Sequence, residues 1–213
     1  MTAQEKFVKL FSLLGWTPDR HRIGDQDFDV DGELARSGQV HQPLLNRLLE
    51  TPYLDLAPPK TTGRELFGES FLDQALAWPE ARGLEFAAVA ATFAEFTVRS
   101  IADAVSRYVP PEFRIGRVIV GGGGAKNPYL MERLRRALAG ADVLLHEEFG
   151  IPSKYKEAIA FAMLGAATLV GLPGNVPSCT GAEREVVLGS ITPGRDYLDL
   201  ARKAHGLRDS WLG

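Results

Sequence analysis

The segment Arg117-Val118-Ile119-Val120-Gly121-Gly122-Gly123-Gly124-Ala125-Lys126-Asn127 sets a short apolar run against four consecutive glycines. Val118, Ile119 and Val120 suit a buried strand, and Pro128 suits the first turn of a helix. Leu130, Leu134 and Leu138 mark the buried side of that helix, while Glu132, Arg133, Arg135 and Arg136 form a solvated face. Gly140 closes the helix and residues 142–146 read as a second strand. A β-turn-α-β unit with parallel strands follows. Such a turn carries bare backbone and the positive end of a helix dipole to one place, which favours a phosphate. Lacking Cβ atoms, Gly121 to Gly124 can lie flat against a ligand. The expectation is a nucleotide contact.

Outward from this unit the chain reads as helix-rich α/β. Before it, residues 84–109 form a long helix, with Phe86, Val89, Ala90, Phe93, Thr97, Ile101, Val105 and Tyr108 at helical spacing. Pro110-Pro111 ends it. Nearer the start, Phe7, Leu10, Phe11 and Leu14 suggest a short amphipathic helix over 5–15, and 17–26 is a polar loop. Asp29-Val30-Asp31-Gly32 lacks the further ligands of a calcium loop and reads as a turn opening a helix at Glu33. A second helix covers 43–49. After the unit, residues 158–167 are apolar nearly all round, so a buried helix is expected, stopped by Gly171 and Pro173. Residues 173–182 form a turn-rich loop, 185–188 a short strand, and the charged tail 196–213 a peripheral helix.

The bulk composition narrows the function classes. The 213 residues are 45% hydrophobic and 24% charged, ordinary for a globular chain. A net charge of −3 argues against a nucleic-acid footprint. The single cysteine, Cys179, excludes an internal disulfide; its reading is a small buried hydrophobe in a reducing compartment. Glu5, Lys6 and Lys9 interrupt the first residues, unlike a signal-peptide core. The longest apolar stretch, 158–172, is about 15 residues, short of the roughly 20 that cross a bilayer. A cytoplasmic location without a membrane partner is the resulting expectation.

Two further places attract attention. In Pro58-Pro59-Lys60-Thr61-Thr62-Gly63-Arg64-Glu65 two prolines fix an extended backbone, followed by clustered cations and hydroxyls. Such a loop presents hydrogen bonds to a polar or anionic ligand. It also reads as a helix start, with Thr62 as N-cap and Glu65 as capping-box partner, which leaves Lys60 and Arg64 unexplained. Glu157 falls in the first turn of the apolar helix, where a charge needs a partner, a dipole or a ligand. As for the nucleotide type, no Gly-Lys-Ser/Thr completes a P-loop. A dinucleotide fingerprint gains Gly121 and Gly123, with Glu147 or Glu148 as a ribose-binding acid, but meets Lys126 where its third glycine belongs. A plain tight turn is the bland alternative.

Several segments in order resemble the anhydro-N-acetylmuramic acid kinases of bacterial cell-wall recycling. They are Asp29-x-x-Gly32-x-x-Ala35-x-x-Gly38, the run Pro58 to Glu65, Val120 to Ala125 with Asn127, Gly150-Ile151-Pro152, Lys156-Glu157-Ala158-x-Ala160-Phe161-Ala162, and Pro173-Gly174-Asn175-x-Pro177-Ser178-x-Thr180-Gly181-Ala182. The resemblance covers about residues 27–193. It implies a ribonuclease-H-like, actin-like ATPase lobe, here with two or three parallel strands, and it displaces the dinucleotide reading. It implies ATP and Mg²⁺ as cofactors, with Gly121, Gly122, Gly123, Gly124 and Asn127 on the ATP. Glu157, Lys60, Thr62 and Arg64 are implied on the sugar side. The implied reaction is ATP-dependent opening of the 1,6-anhydro bridge by water with phosphorylation of the sugar's 6-oxygen.

Departures from the family pattern set the remaining expectations. Nothing in the chain resembles the family's Gly-Thr-Ser-x-Asp-Gly phosphate turn or its Asp-x-Gly-Pro-Gly-Asn segment, and the family's catalytic aspartate belongs to that part. No catalytic residue and no metal ligand is therefore assigned, and the 213 residues are expected to be inactive alone. The segments divide as 1–26 divergent, 27–194 the C-terminal lobe, and 195–213 a peripheral tail. The rival expectations are a non-catalytic nucleotide-binding or interaction remnant prone to self-association, as a homodimer, or to binding a partner, and a nicotinamide-dependent enzyme.

Overall fold

In a computed structural model of the chain, the structure describes residues 29–60, 62, 65–110, 112–152 and 154–206. The readings over 1–28, at Arg64 and beyond 206 lie outside the described residues. The chain forms two compact units, Met1–Ala57 with Thr61–Ser153, and Pro58–Lys60 with Lys154–Gly213.

The first unit is built on the long helix that the apolar stripe predicts. α1 (Glu33–Ser37), α2 (Gln42–Leu49), α3 (Glu69–Ala77) and α4 (Phe86–Tyr108) precede the sheet. Val89, Ala90, Phe93, Ala94, Phe96 and Val98 of α4 are buried, and α1 and α2 pack on that helix. Their approach is close: a Cβ on Gly38 would fall 1.9 Å from the carbonyl oxygen of Ala87. The buried Thr92 hydroxyl donates to Ala88 O at 2.6 Å and accepts from His41 N at 2.9 Å, so its polarity is satisfied. Phe67 packs edge-on against Tyr53 and Phe71, at 5.6 and 5.1 Å between centroids, and Phe71 stacks on Phe96 at 6.3 Å.

That aromatic knot corrects one expectation. With Phe67 drawn into the core, the chain turns before α3 begins, and Gly68 rather than Thr62 stands at the N-cap. The Thr62–Glu65 capping box does not form.

β1 (Arg117–Val120), α5 (Pro128–Ala137) and β2 (Asp142–Leu145) complete the unit as predicted, with β1 and β2 parallel. Val118 pairs with Val143 and Val120 with Leu145. Val120 and Val143 join Met131, Leu134, Leu138 and Ala125 in a second core cluster, against which Ile101 and Val105 of α4 pack. Ile119, pointing the other way, stays 49% exposed.

The second unit contains α6 (Lys156–Leu169), α7 (Pro177–Thr180) and α8 (Tyr197–Gly206). Here the expectation of burial fails: no residue of α6 is buried, and Phe161 is 72% exposed. Among the described residues of this unit, α8 and the 174–189 segment lie against it and leave most of it exposed. Cys179 is exposed as well, on the short α7, and not the buried hydrophobe expected.

The predicted strand at 185–188 is absent. Its place is taken by one side chain: Asn175 Nδ2 donates to Arg184 O at 3.0 Å, and Asn175 Oδ1 accepts from Val186 N at 2.7 Å. With Gly174 N donating to Val186 O at 3.0 Å, these bonds pin the segment without a ladder. The described residues thus carry a sheet of two parallel strands.

Candidate nucleotide site

The glycine turn leaves β1 at its carboxyl end, the end at which open α/β sheets bind ligands. Gly122 has φ 96 and ψ −175, a conformation that L side chains avoid. Residues Gly123–Lys126 then make one turn of 3₁₀ helix before Asn127. Gly122 and Gly124 are buried, Gly121 is half-buried and Gly123 is exposed. The inner side of the turn rests on Val98, Ile101, Leu130, Met131 and Leu134 around a void of about 10 Å³, room for roughly one water.

Asn127 has a role that the sequence reading did not separate from ligand contact. It is the N-cap of α5, its Oδ1 accepting from Leu130 N at 3.0 Å. That same oxygen would lie 2.3 Å from a Cβ on Gly32, so the Val30–Gly32 turn packs directly on it. Asp29 holds this turn in place by accepting from Leu34 N at 2.8 Å and Ala35 N at 3.0 Å. The Asp29–Gly32 motif is therefore a helix start, as expected, and lies beside the glycine turn's exit.

One residue at the site went unnoticed in the sequence. His146 follows β2 as Gly121 follows β1, and its ring lies flat on that glycine. A Cβ on Gly121 would be 2.9 Å from both Cε1 and Nδ1 of the imidazole and 3.1 Å from Cδ2. The histidine thus requires glycine at 121. The register of the two predicted strands was the signal that could have found it. Glu148, weighed as a ribose-binding acid, instead accepts from Leu145 N at 2.7 Å.

Lys60 and Glu157 belong to the second unit and Thr62 to the first. Lys60 is half-buried, and Glu157 is exposed on the uncovered α6, so the cost of burial inferred for its carboxylate does not arise. Within the second unit the Pro58–Pro59 turn meets the Thr180–Ala182 turn: Pro59 Cγ lies 3.4 Å from where a Cβ on Gly181 would stand. Two segments far apart in sequence, at Pro59 and Gly181, are thereby neighbours.

The profile of one protein family, "Anhydro-N-acetylmuramic acid kinase", matches residues 15–194. The chain belongs to the anhydro-N-acetylmuramic acid kinase family. It is 47% identical over 181 residues to the anhydro-N-acetylmuramic acid kinase of Streptomyces avermitilis, covering 85% of this chain and 45% of that protein. The Trichormus variabilis enzyme of the same name is 42% identical over 183 residues, 86% of this chain and 46% of its own length. That of Caldanaerobacter subterraneus is 35% identical over 169 residues, 79% and 43% respectively. The chain spans a little under half the length of these relatives.

A kinase family implies ATP, and usually a divalent metal. The turn fits a nucleotide in one respect that the structure shows: Gly122 holds a backbone angle open to glycine, beside the exposed Gly123. Among the described residues, no group of three or more His, Cys, Asp or Glu side chains is placed to hold a metal ion. No helix among them is long and apolar enough to cross a membrane.

Proposed function

We propose that this chain supplies the C-terminal lobe, about residues 27–194, of a cytoplasmic kinase that converts 1,6-anhydro-N-acetylmuramic acid to N-acetylmuramic acid 6-phosphate. In the overall reaction water adds across the anhydro bridge and the γ-phosphoryl group of ATP passes to the sugar's 6-oxygen, releasing ADP. The observation that carries the reading is a glycine turn at the carboxyl end of a parallel strand in a chain of this family. On this reading Gly121, Gly122, Gly123, Gly124 and Asn127 form the adenosine side of the site, with backbone N–H groups of the glycines as the donors, since that of Asn127 is taken by Gly124 O. Lys60, Thr62, Arg64 and Glu157 serve the sugar, the cations countering its carboxylate and phosphate. Mg²⁺, when bound with ATP, would screen the phosphate charge. The base that activates water is not among these residues.

The test has two arms. With ATP at 100 times its Kd the 213 residues should gain about 2.7 kcal/mol of stability, read as a thermal midpoint several degrees higher. In a phosphorylation assay with the anhydro sugar they should show no turnover, where a full-length relative does. A midpoint raised by NADH and not by ATP sinks the kinase reading.

A second reading, a nucleotide-binding module that works by association, is favoured by the uncovered α6, with Phe161 and Met163 at 72% and 61% exposure. Exposed apolar residues of this kind suit self-association, as a homodimer, or another partner.

A further inference from the structure

The His146 imidazole lies against the backbone of Gly121, at the end of the parallel pair where the proposed nucleotide seats. Its Nδ1 is shielded from solvent and has no hydrogen-bond partner. A shielded nitrogen that carried a proton would leave a donor unpaid, costing about 1–3 kcal/mol. A bare acceptor is the better-tolerated orphan. In the neutral ring the proton then sits on Nε2, which is not among the shielded, unpartnered atoms and is the nitrogen left to a ligand. The ring is packed closely on the backbone of Gly121, which limits its rotation.

We propose that His146 is a nucleotide-recognition residue, donating from Nε2–H to an acceptor oxygen of the nucleotide bound at the glycine turn. The inference rests on the reading of Gly121–Gly124 as the ATP contact and adds to it a side-chain donor from the neighbouring strand. The glycine turn offers only backbone groups, which every nucleotide accepts alike. A fixed imidazole donor one strand over adds a directional contact.

The experiment is a titration of the 213-residue chain with ATP and, in a second arm, adenosine, followed by ¹⁵N spectra of the backbone amides and histidine rings. The expected result is that the amides of 122–124 and the His146 ring both shift, while the His41 and His205 rings do not. A shift with adenosine assigns the acceptor to the ribose; a shift confined to ATP assigns it to phosphate. His146→Phe keeps the flat ring over Gly121 but removes the donor, and should weaken ATP binding about three- to tenfold. If the amides of 122–124 move while the His146 ring does not, the inference fails and the glycine-turn reading stands. Unchanged affinity in a folded His146→Phe protein also overturns the inference. If neither amides nor ring move, both are overturned. Should the variant not fold, the wild-type ring resonances still decide.

Discussion

Gly121 shows how one position can answer to structure where ligand contact was expected. Its missing Cβ makes room for the His146 ring, and the conformational freedom of glycine is used next door, at Gly122. Gly121→Ala should cost about 1–3 kcal/mol through overpacking. In Gly121→Ala/His146→Ala the methyl has space, so the two costs should sum to more than the double variant loses, a coupling that urea midpoints would measure. Asn127→Ala should cost about 1 kcal/mol without ATP, the usual worth of an N-cap. If ATP affinity falls with it by far more than tenfold, Asn127 has a ligand role beyond the cap. These residues were legible in kind and not in cause. Four glycines and an asparagine at a strand–helix junction announce a tight turn, but one-dimensional spacing does not reveal which glycine faces a ring and which a solvent-open loop.

At the scale of elements, the apolar stripes were read well because they are long. α4 and α5 fall within a residue or two of their expected bounds, and Leu130, Leu134 and Leu138 are all buried as their spacing required. The solvated face assigned to α5 was simpler than the real one. Arg133 pairs with Glu95 of α4, Nε to Oε2 at 3.0 Å, and with Arg36 it flanks the Tyr129 ring. The Glu95 hydrogen bond raises the Arg133 pKa above the usual guanidinium range. Such pairs join residues far apart in sequence and leave no periodic trace. The strand expected at 185–188 failed for the opposite reason, a local substitution by the Asn175 side chain.

Glu132 gives a pH test at this scale. It accepts from Arg36 Nη1 at 2.8 Å and Arg136 Nη2 at 2.6 Å, and the Arg36 bond first, then the Arg136 charge, lower its pKa. A carboxylate depressed in the folded state stabilises above its unfolded pKa of about 4.3 and loses that contribution as pH falls through the folded value. Glu132→Gln should therefore lower the urea midpoint at neutral pH. Wild type and variant should converge once the pH has fallen through that lowered value, and the neutral-pH gap should shrink in high salt. A gap that widens on acidification would contradict the pairing. Phe96→Ala, which empties the centre of the aromatic knot, should cost about 3–5 kcal/mol at any pH.

For the molecule as a whole, the helix 158–167 carried the wrong expectation most instructively. Apolarity on every side states that a helix must be covered; it does not state by what. Among the described residues it is covered on one side only in part, by α8 and the segment after 173, and Phe161 and Met163 stay exposed. On a sizing column the chain should run larger than a 213-residue monomer, and Phe161→Glu/Met163→Glu should restore the monomer position. A wild-type monomer across a wide concentration range would rule out self-association by this face.

The uneven burial of the two units also has a practical outcome. Val170 is the only buried hydrophobic side chain among the described residues 154–206, and residues 178–196 are exposed without interruption. A protease needs a segment that can be drawn into its cleft at little energetic expense, and this one is available in the native chain. Among the described residues trypsin should nick after Arg184 and Arg195 well before α4, whose peptide bonds survive until the whole fold gives way.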